Sequence, residues 1–537
     1  MGSAILVFVL PAAIVAAANV APGPFESSAS PVPRSQIDKL VLGRLEQLGI
    51  ASAHLCSDAV FVRRAYLDVI GTLPTAQETR TFLADRDPNK RSILVDRLLE
   101  RPEFADYWAM KWSDLLRVKS EFPINLWPNA VQAYHRWIRT CIQENVPYDR
   151  FVREMLTASG SNFRVPQVNF YRAVQSREPQ ALAQAVALTF MGVRPEGWPK
   201  EKWSQMAVFF SRVAYKSTLE WKEEIVLFDP NHPTARPPSP GKESPPGAGT
   251  PRDLPSTAVL PDGTTVPLSP DQDPRDVFAN WLIDAKNPWF ARNIVNRVWY
   301  WLEGRGIIHE PDDVRPENPP SNPELLAYLE KELVAARYDL KHIYRLILNS
   351  QTYQLAFIAR GDDPEAEANF AFYPLRRLEA EVLIDALCQI TGTTEQYSSP
   401  IPEPFTFIPE DLRSIALADA SITSAFLEKF GRSPRDTGLE SERNSRPTAA
   451  QRLHLLNSSH IQRKIEQSTK LQYLLQNKGK PRDTIDGVYL TILSRFPTEE
   501  ELKVVGAYFQ SAGGNRRGAA VDLIWALINS AEFLYRH

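Results

Sequence analysis

The sequence predicts a mainly α fold: two helical blocks with repeated helix-turn-helix units, joined by a Pro-rich linker carrying one small β-hairpin. Three observations predict it. Apolar residues recur at helical spacing, as at Leu340, Ile343, Tyr344 and Ile347, whereas sustained period-two alternation is rare. Residues 229–275 are crowded with proline (ARPPSPGKESPPGAGTPRDLP), which cannot hold a helix. A similar helical unit returns three times along the chain.

Taken in order, residues 1–21 stand apart. Ala4 to Ala18 is almost wholly apolar (AILVFVLPAAIVAAA), and Ala16 and Ala18 form a small-x-small cleavage pattern. The stretch reads as a secretory signal peptide; its short length and Pro11 disfavour a stable transmembrane span. Residues 22–35, rich in Pro and Ser, read as a flexible leader. Residues 36–228 form an N-terminal helical domain. The linker over 229–275 contains VLPDGTTVPL, whose Pro-Asp-Gly turn between β-prone arms predicts a hairpin at Val259–Leu268. Residues 276–537 form a C-terminal helical domain. The expected location is secreted or periplasmic.

The repeat has a shared grammar. Tyr66-Leu67 is followed eight residues after Tyr66 by Pro74-Thr75, and Tyr489-Leu490 eight residues after Tyr489 by Pro497-Thr498. A middle copy runs from Trp299 through Pro320-Ser321. Each copy places a Ser or Thr three residues before Glu: Thr75 with Glu78, Ser321 with Glu324, Thr498 with Glu501. These are capping boxes that satisfy orphan amides at a helix start. Thr448 with Gln451 makes a fourth. Each unit ends on an aromatic, Phe104, Tyr353 or Phe533. Repetition of this kind supports a scaffold more than a catalyst.

Apolar residues at 43% and charged residues at 23% are ordinary globular values, so a large core is expected. A net charge of −3 lacks the basic excess a nucleic-acid binder needs. Cys56, Cys141 and Cys388 form no Cys-x-x-Cys pair. They allow one disulfide at most and are read first as small buried side chains.

Val60–Val118 (VFVRRAYLDVIGTLPTAQETRTFLADRDPNKRSILVDRLLERPEFADYWAMKWSDLLRV) resembles the first of a pair of families. Phe290–Ala356, with FARNIVNRVW and NPPSNPELLAYLEKELVAARYDLKHIYRLILNSQTYQLA, resembles the second, and TGLESERNSRPTAAQRLHLLNSSHI fits its later part. These are the paired planctomycete cytochrome-associated domains, whose biochemical function is not established. The resemblance implies an exported bacterial envelope protein, often encoded with a cytochrome c module. Many relatives carry a Cys-x-x-Cys-His element where this chain has Met191–Met206 (MGVRPEGWPKEKWSQM), with neither Cys nor His. Covalent c-type haem attachment needs those groups, so no haem and no other cofactor is expected.

Candidate sites are few. His309, Glu310, Asp312 and Asp313 gather metal-capable side chains, but their spacing matches no strong motif, and no metal is expected. Asn293, Asn296 and Arg297 interrupt an apolar helix. They are read as an ion-pair network with Glu379, Glu381 or Asp385, or as a pocket for a carboxylate or sugar hydroxyls. Trp108 and Trp112, four apart, and Trp299 and Trp301 are read as core. The first-ranked ligand site is the loop Glu440-Ser441-Glu442-Arg443-Asn444-Ser445-Arg446, just before a capped helix. Arg443 and Arg446 are candidates to hold an anion, Glu440 and Glu442 to act as acid or base, and Asn296 and Arg297 to stand nearby. The leading expectation is a non-catalytic scaffold or binding protein, with an envelope polysaccharide or a protein as partner. An enzyme acting on an extracellular polymer and a docking partner of a cytochrome c module are the alternatives.

Overall fold

The computed structural model describes residues 23–231, 254–476, 481–512 and 515–537. The signal-peptide segment and most of the Pro-rich linker lie outside the described residues. The fold is mainly α with a few small hairpins. Among the described residues, no helix is long and apolar enough to cross a membrane.

Local chemistry sets the helix starts. Thr75, Thr448 and Thr498 each close a capping box with Glu78, Gln451 and Glu501. Ser35 and Asp38 form another at the start of Gln36–Leu48. The box expected from Ser321 and Glu324 does not form. Helix Pro323–Ala335 is capped instead by Asn322, whose side chain accepts from the Leu325 amide. Pro323 decides this: its fixed φ and missing N–H suit the first helical position, which makes the preceding residue the cap.

The first and last units share their order of elements. Asp58–Ile70, Ala76–Ala84, Lys90–Leu99 and Pro102–Leu115 match Pro481–Ile492, Glu499–Ser511, Arg516–Ile528 and Ala531–Leu534. In the middle unit, Phe290–Glu303, Pro323–Ala335 and Leu340–Leu348 are followed by turns rather than a fourth helix. The closing aromatics Phe104, Tyr353 and Phe533 are all buried.

The units pack on one another. The Pro481–Ile492 helix lies against Ala76–Ala84, and Leu340–Leu348 against Lys90–Leu99. Arg63 donates to the Ile492 and Phe533 carbonyls, and Arg64 to those of Tyr353, Leu355 and His537. One continuous apolar core therefore runs from Ile37 to Phe533, across both sequence blocks. Trp108, Trp112, Trp299 and Trp301 all sit in it. The three cysteines are free; Cys56 and Cys141 are buried.

The predicted hairpin is present, with strands Thr257–Val259 and Thr265–Pro267 joined through the Pro-Asp-Gly turn. Gly263 has φ +91°, a conformation that favours glycine. Two further small sheets were not anticipated. Gly160–Ser161, Glu224–Phe228 and Val213–Ser217 form an antiparallel sheet, and Arg376–Arg377 pairs with Tyr535–Arg536. Strands of two to five residues carry too little alternation to register as a pattern.

Candidate functional site

A cleft of about 600 Å³ opens where the end of the chain meets the two blocks. Its wall includes the segment Glu440 to Pro447, the paired Arg376 and Arg377, Tyr535 and Arg536, and Lys111 from the Pro102–Leu115 helix. The 376–377 and 535–536 strands are antiparallel, with Arg376 opposite Arg536, so three arginines of two strands are brought to one place.

Beneath the wall lies a buried charge network. Arg443 donates Nε and Nη2 to Asp114 Oδ2 at 3.0 and 2.7 Å, and Nη1 and Nη2 to the two oxygens of Glu381 at 2.6 and 3.0 Å. Arg435 meets the other Asp114 oxygen at 2.9 Å, and Arg432 approaches Glu381 at 3.4 Å. Lys111 Nζ lies 2.7 Å from Glu379 Oε1, and Arg536 pairs with the other oxygen. Arg536 also reaches Asp68 at 3.0 Å, which accepts from Tyr353 and Tyr373. Buried charges cost several kcal/mol each unless paired, so the network holds only as a whole.

The electrostatics follow from the packing. Burial alone would raise the Glu379 carboxyl, but Arg536, Lys111 and Arg443 outweigh it and hold it well below the ordinary range. Glu381 is likewise opposed by burial, yet Arg443 and Arg432 bring it down to about 2. Glu440 goes the other way: burial raises it, despite Lys111 and Arg297 nearby. Its Oε1 accepts from Trp301 Nε1 at 3.0 Å, and its amide donates to Asp312 at 2.7 Å.

The sequence-selected residues divide accordingly. Glu440, Arg443 and Arg446 all line the cleft. Arg443 lies in it as a fully engaged guanidinium, whereas Arg446 is exposed and makes no ion pair among the described residues. Glu442 turns to its own loop and accepts from the Asp436 and Thr437 amides. Asn296 bridges the amide and carbonyl of Ile308, and so fixes a turn. Arg297 does not pair with Glu379, Glu381 or Asp385, as the sequence suggested. Its Nη2 binds Asp312 at 2.6 Å and the Leu188 carbonyl at 3.0 Å, with Glu440 at 3.7 Å behind. The three carboxylates next to His309 are also engaged by arginines: Glu310 by Arg194, Asp312 by Arg297, Asp313 by Arg315.

Sequence reasoning missed Lys111, Asp114, Arg376, Arg377 and Arg536. A faint signal existed for two of them: Lys111 and Asp114 interrupt the apolar run AMKWSDLL. Arg377 had none. It is 7% exposed and donates to the Phe430, Asn444 and Ser445 carbonyls, with no carboxylate partner among the described residues.

The class these features define is a mainly α protein with one continuous apolar core and a charge-lined cleft. In family terms, the chain carries two domains of unknown function in sequence order. Residues 36–196 match PSCyt2, described as a protein of unknown function (DUF1549). Residues 274–509 match PSD1, described as a protein of unknown function (DUF1553). No curated protein and no solved structure matches the chain.

Proposed function

We propose that this is an exported, non-catalytic binding protein whose cleft takes an anionic ligand, with an acidic envelope polysaccharide as the ligand class. The observation that carries this reading is the charge of the cleft wall. Lys111, Arg376, Arg377, Arg443, Arg446 and Arg536 line it against only Glu379 and Glu440. Among the described residues Arg377 has no carboxylate partner and Arg446 makes no ion pair, which leaves positive charge over after the internal pairing described. Tyr300, Trp301 and Tyr535 add ring surface to the same wall. The exposed guanidinium of Arg446, outside the internal network, suits bidentate contact with a carboxylate or sulfate, and the engaged arginines behind it contribute their field. The export part of the reading rests on the apolar Ala4–Ala18 run.

The test is calorimetric titration of the mature chain with alginate, dextran sulfate and neutral dextran at low salt. Binding of an acidic polymer, weakened about tenfold by Arg446→Glu, is expected. Absence of binding to both acidic polymers, or identical binding by Arg446→Glu, would remove the reading.

One observation favours a catalytic alternative. Glu440 and Glu379 line the same cleft with their acidities pushed in opposite directions, the pattern of an acid paired with an ionised carboxylate. Release of reducing ends from the bound polymer, abolished in Glu440→Gln, would establish it; an unchanged chain length after long incubation would exclude it.

A further inference from the structure

A second surface, sharing no lining residue with the charged cleft, carries ligand-binding chemistry of a different kind. Three segments meet there: 121–127, the tip of the hairpin between Val213–Ser217 and Glu224–Phe228, and 402–408. Trp127 has its ring centroid 5.4 Å from that of Phe405 and 6.5 Å from that of Trp221. Lys222 Nζ stands 5.4 Å from the Trp127 ring and 5.6 Å from that of Trp221. Trp221 is 70% exposed, and Phe407, two residues beyond Phe405, is 73% exposed. Clustered aromatics on a water-facing surface mark interaction sites, whereas single exposed apolar residues do not.

The platform is built, not loose. Trp127 is held at φ +75° and Asn125 at φ +61°, left-handed conformations that side chains other than glycine adopt at a cost. The backbone there is fastened by bonds from the Asn125 amide to the Glu121 carbonyl at 2.8 Å and from the Leu126 amide to the Lys119 carbonyl at 3.2 Å. The Glu121 amide in turn donates to Ser421 Oγ at 3.0 Å. On the hairpin tip, Thr218 and Glu223 close the turn through both backbone and side chain.

The surroundings narrow the ligand. Within these three segments Glu121, Glu220, Glu223 and Glu403 are acidic, and the cations beside them are Lys222 and Arg164, whose guanidinium lies 3.7 Å from Glu220 and 3.8 Å from Glu223, so the border keeps a net negative charge. Such a rim repels acidic polymers and the anionic headgroups of a bilayer. It offers hydrogen-bond acceptors to hydroxyl groups instead. A pyranose chain presents apolar C–H faces to aromatic rings and hydroxyls at its edges, which complements rings bordered by carboxylates. We propose that this aromatic platform is a binding site for a neutral polysaccharide, separate from the anion cleft.

The test is affinity electrophoresis of the full chain in native gels containing mixed-linkage β-glucan, xylan or glucomannan. At least one should retard the wild type. Trp221→Ala and Phe407→Ala, both at exposed positions, should each weaken that retardation about tenfold with unchanged far-ultraviolet circular dichroism. Arg446→Glu should leave it unchanged, which separates this site from the cleft. The proposal is overturned if none of the three glycans retards the protein, or if retardation survives both aromatic substitutions. Flotation with phosphatidylcholine vesicles that is lost in Trp221→Ala would assign the platform to a lipid surface and overturn it equally.

Discussion

Arg443 of the C-terminal block and Asp114 of the N-terminal block are joined by two hydrogen bonds, at 3.0 and 2.7 Å, on one carboxylate oxygen. The same guanidinium grips both oxygens of Glu381. One side chain thus ties the cleft loop to two helices, Pro102–Leu115 and Ala380–Thr391. Arg443→Ala takes four hydrogen bonds from two buried carboxylates and leaves Asp114 to Arg435 and Glu381 to Arg432, a loss of about 3 kcal/mol, the low end for broken buried pairs. Arg446→Ala, at an exposed position, should cost less than about 0.5 kcal/mol. Denaturant unfolding of the two variants checks the contrast. Equal stability would mean that Arg443 does not hold the loop.

The contact of Arg443 with Glu381 sets an acid limit. Glu381 titrates at about 2 in the fold, below its ordinary value of 4.5. A carboxyl depressed by folding contributes stability that is complete above its unfolded pKa and is lost as pH falls. The unfolding temperature should therefore drop between pH 4.5 and 2. In Glu381→Gln that part of the drop should shrink, on a lower starting stability. A pH series of thermal melts reads this directly, and parallel curves for the two proteins would refute it.

How much of this was legible depends on distance along the chain. The capped helices and the hairpin turn are written within a few residues, and they form. The Ser-x-x-Glu spacing points to Ser321 as a cap, but Pro323 at the first helical position moves the start by one residue to Asn322. The loop 440–446 stood out by its density of polar groups. Its engagement by Asp114 did not, because the two lie 329 residues apart in sequence. Glu379 and Glu381 were recognised as partners for an arginine but given to Arg297. Pairing across a fold is set by packing, and helical periodicity says only that a buried charge needs a partner, not which one.

Gly431 controls the shape of the cleft wall. It has φ +80°, and a Cβ there would lie 1.9 Å from the Asn444 carbonyl oxygen. That carbonyl and its neighbours at Phe430 and Ser445 are the acceptors that hold Arg377. Gly431→Ala must displace the Asn444 backbone and loosen Arg377 with it. It is expected to cost about 2 kcal/mol of stability and to weaken acidic-polymer binding. Full stability together with wild-type binding would show that the wall does not depend on this turn.

Glu303 offers a test in the opposite pH direction. It is 2% exposed, its Oε1 has no hydrogen-bond partner among the described residues, and burial raises its carboxyl to about 8 in spite of Arg64 and Arg376. An acid whose pKa rises on folding holds its proton in the fold and releases it when unfolded. It therefore costs no stability below about pH 4.5, and an increasing amount from there up to pH 8, by linkage on the order of 3 kcal/mol at pH 7. Glu303→Gln keeps the shape and removes the titration. The variant should gain on the wild type as pH rises from 5 to 8 by about that figure, because the cost of burying the new amide does not depend on pH and cancels between the two conditions. Chemical denaturation at pH 5 and pH 8 compares the two. If the difference between variant and wild type is the same at both, Glu303 is ionised in the folded protein, and Arg64 and Arg376 stabilise its charge more than burial opposes it.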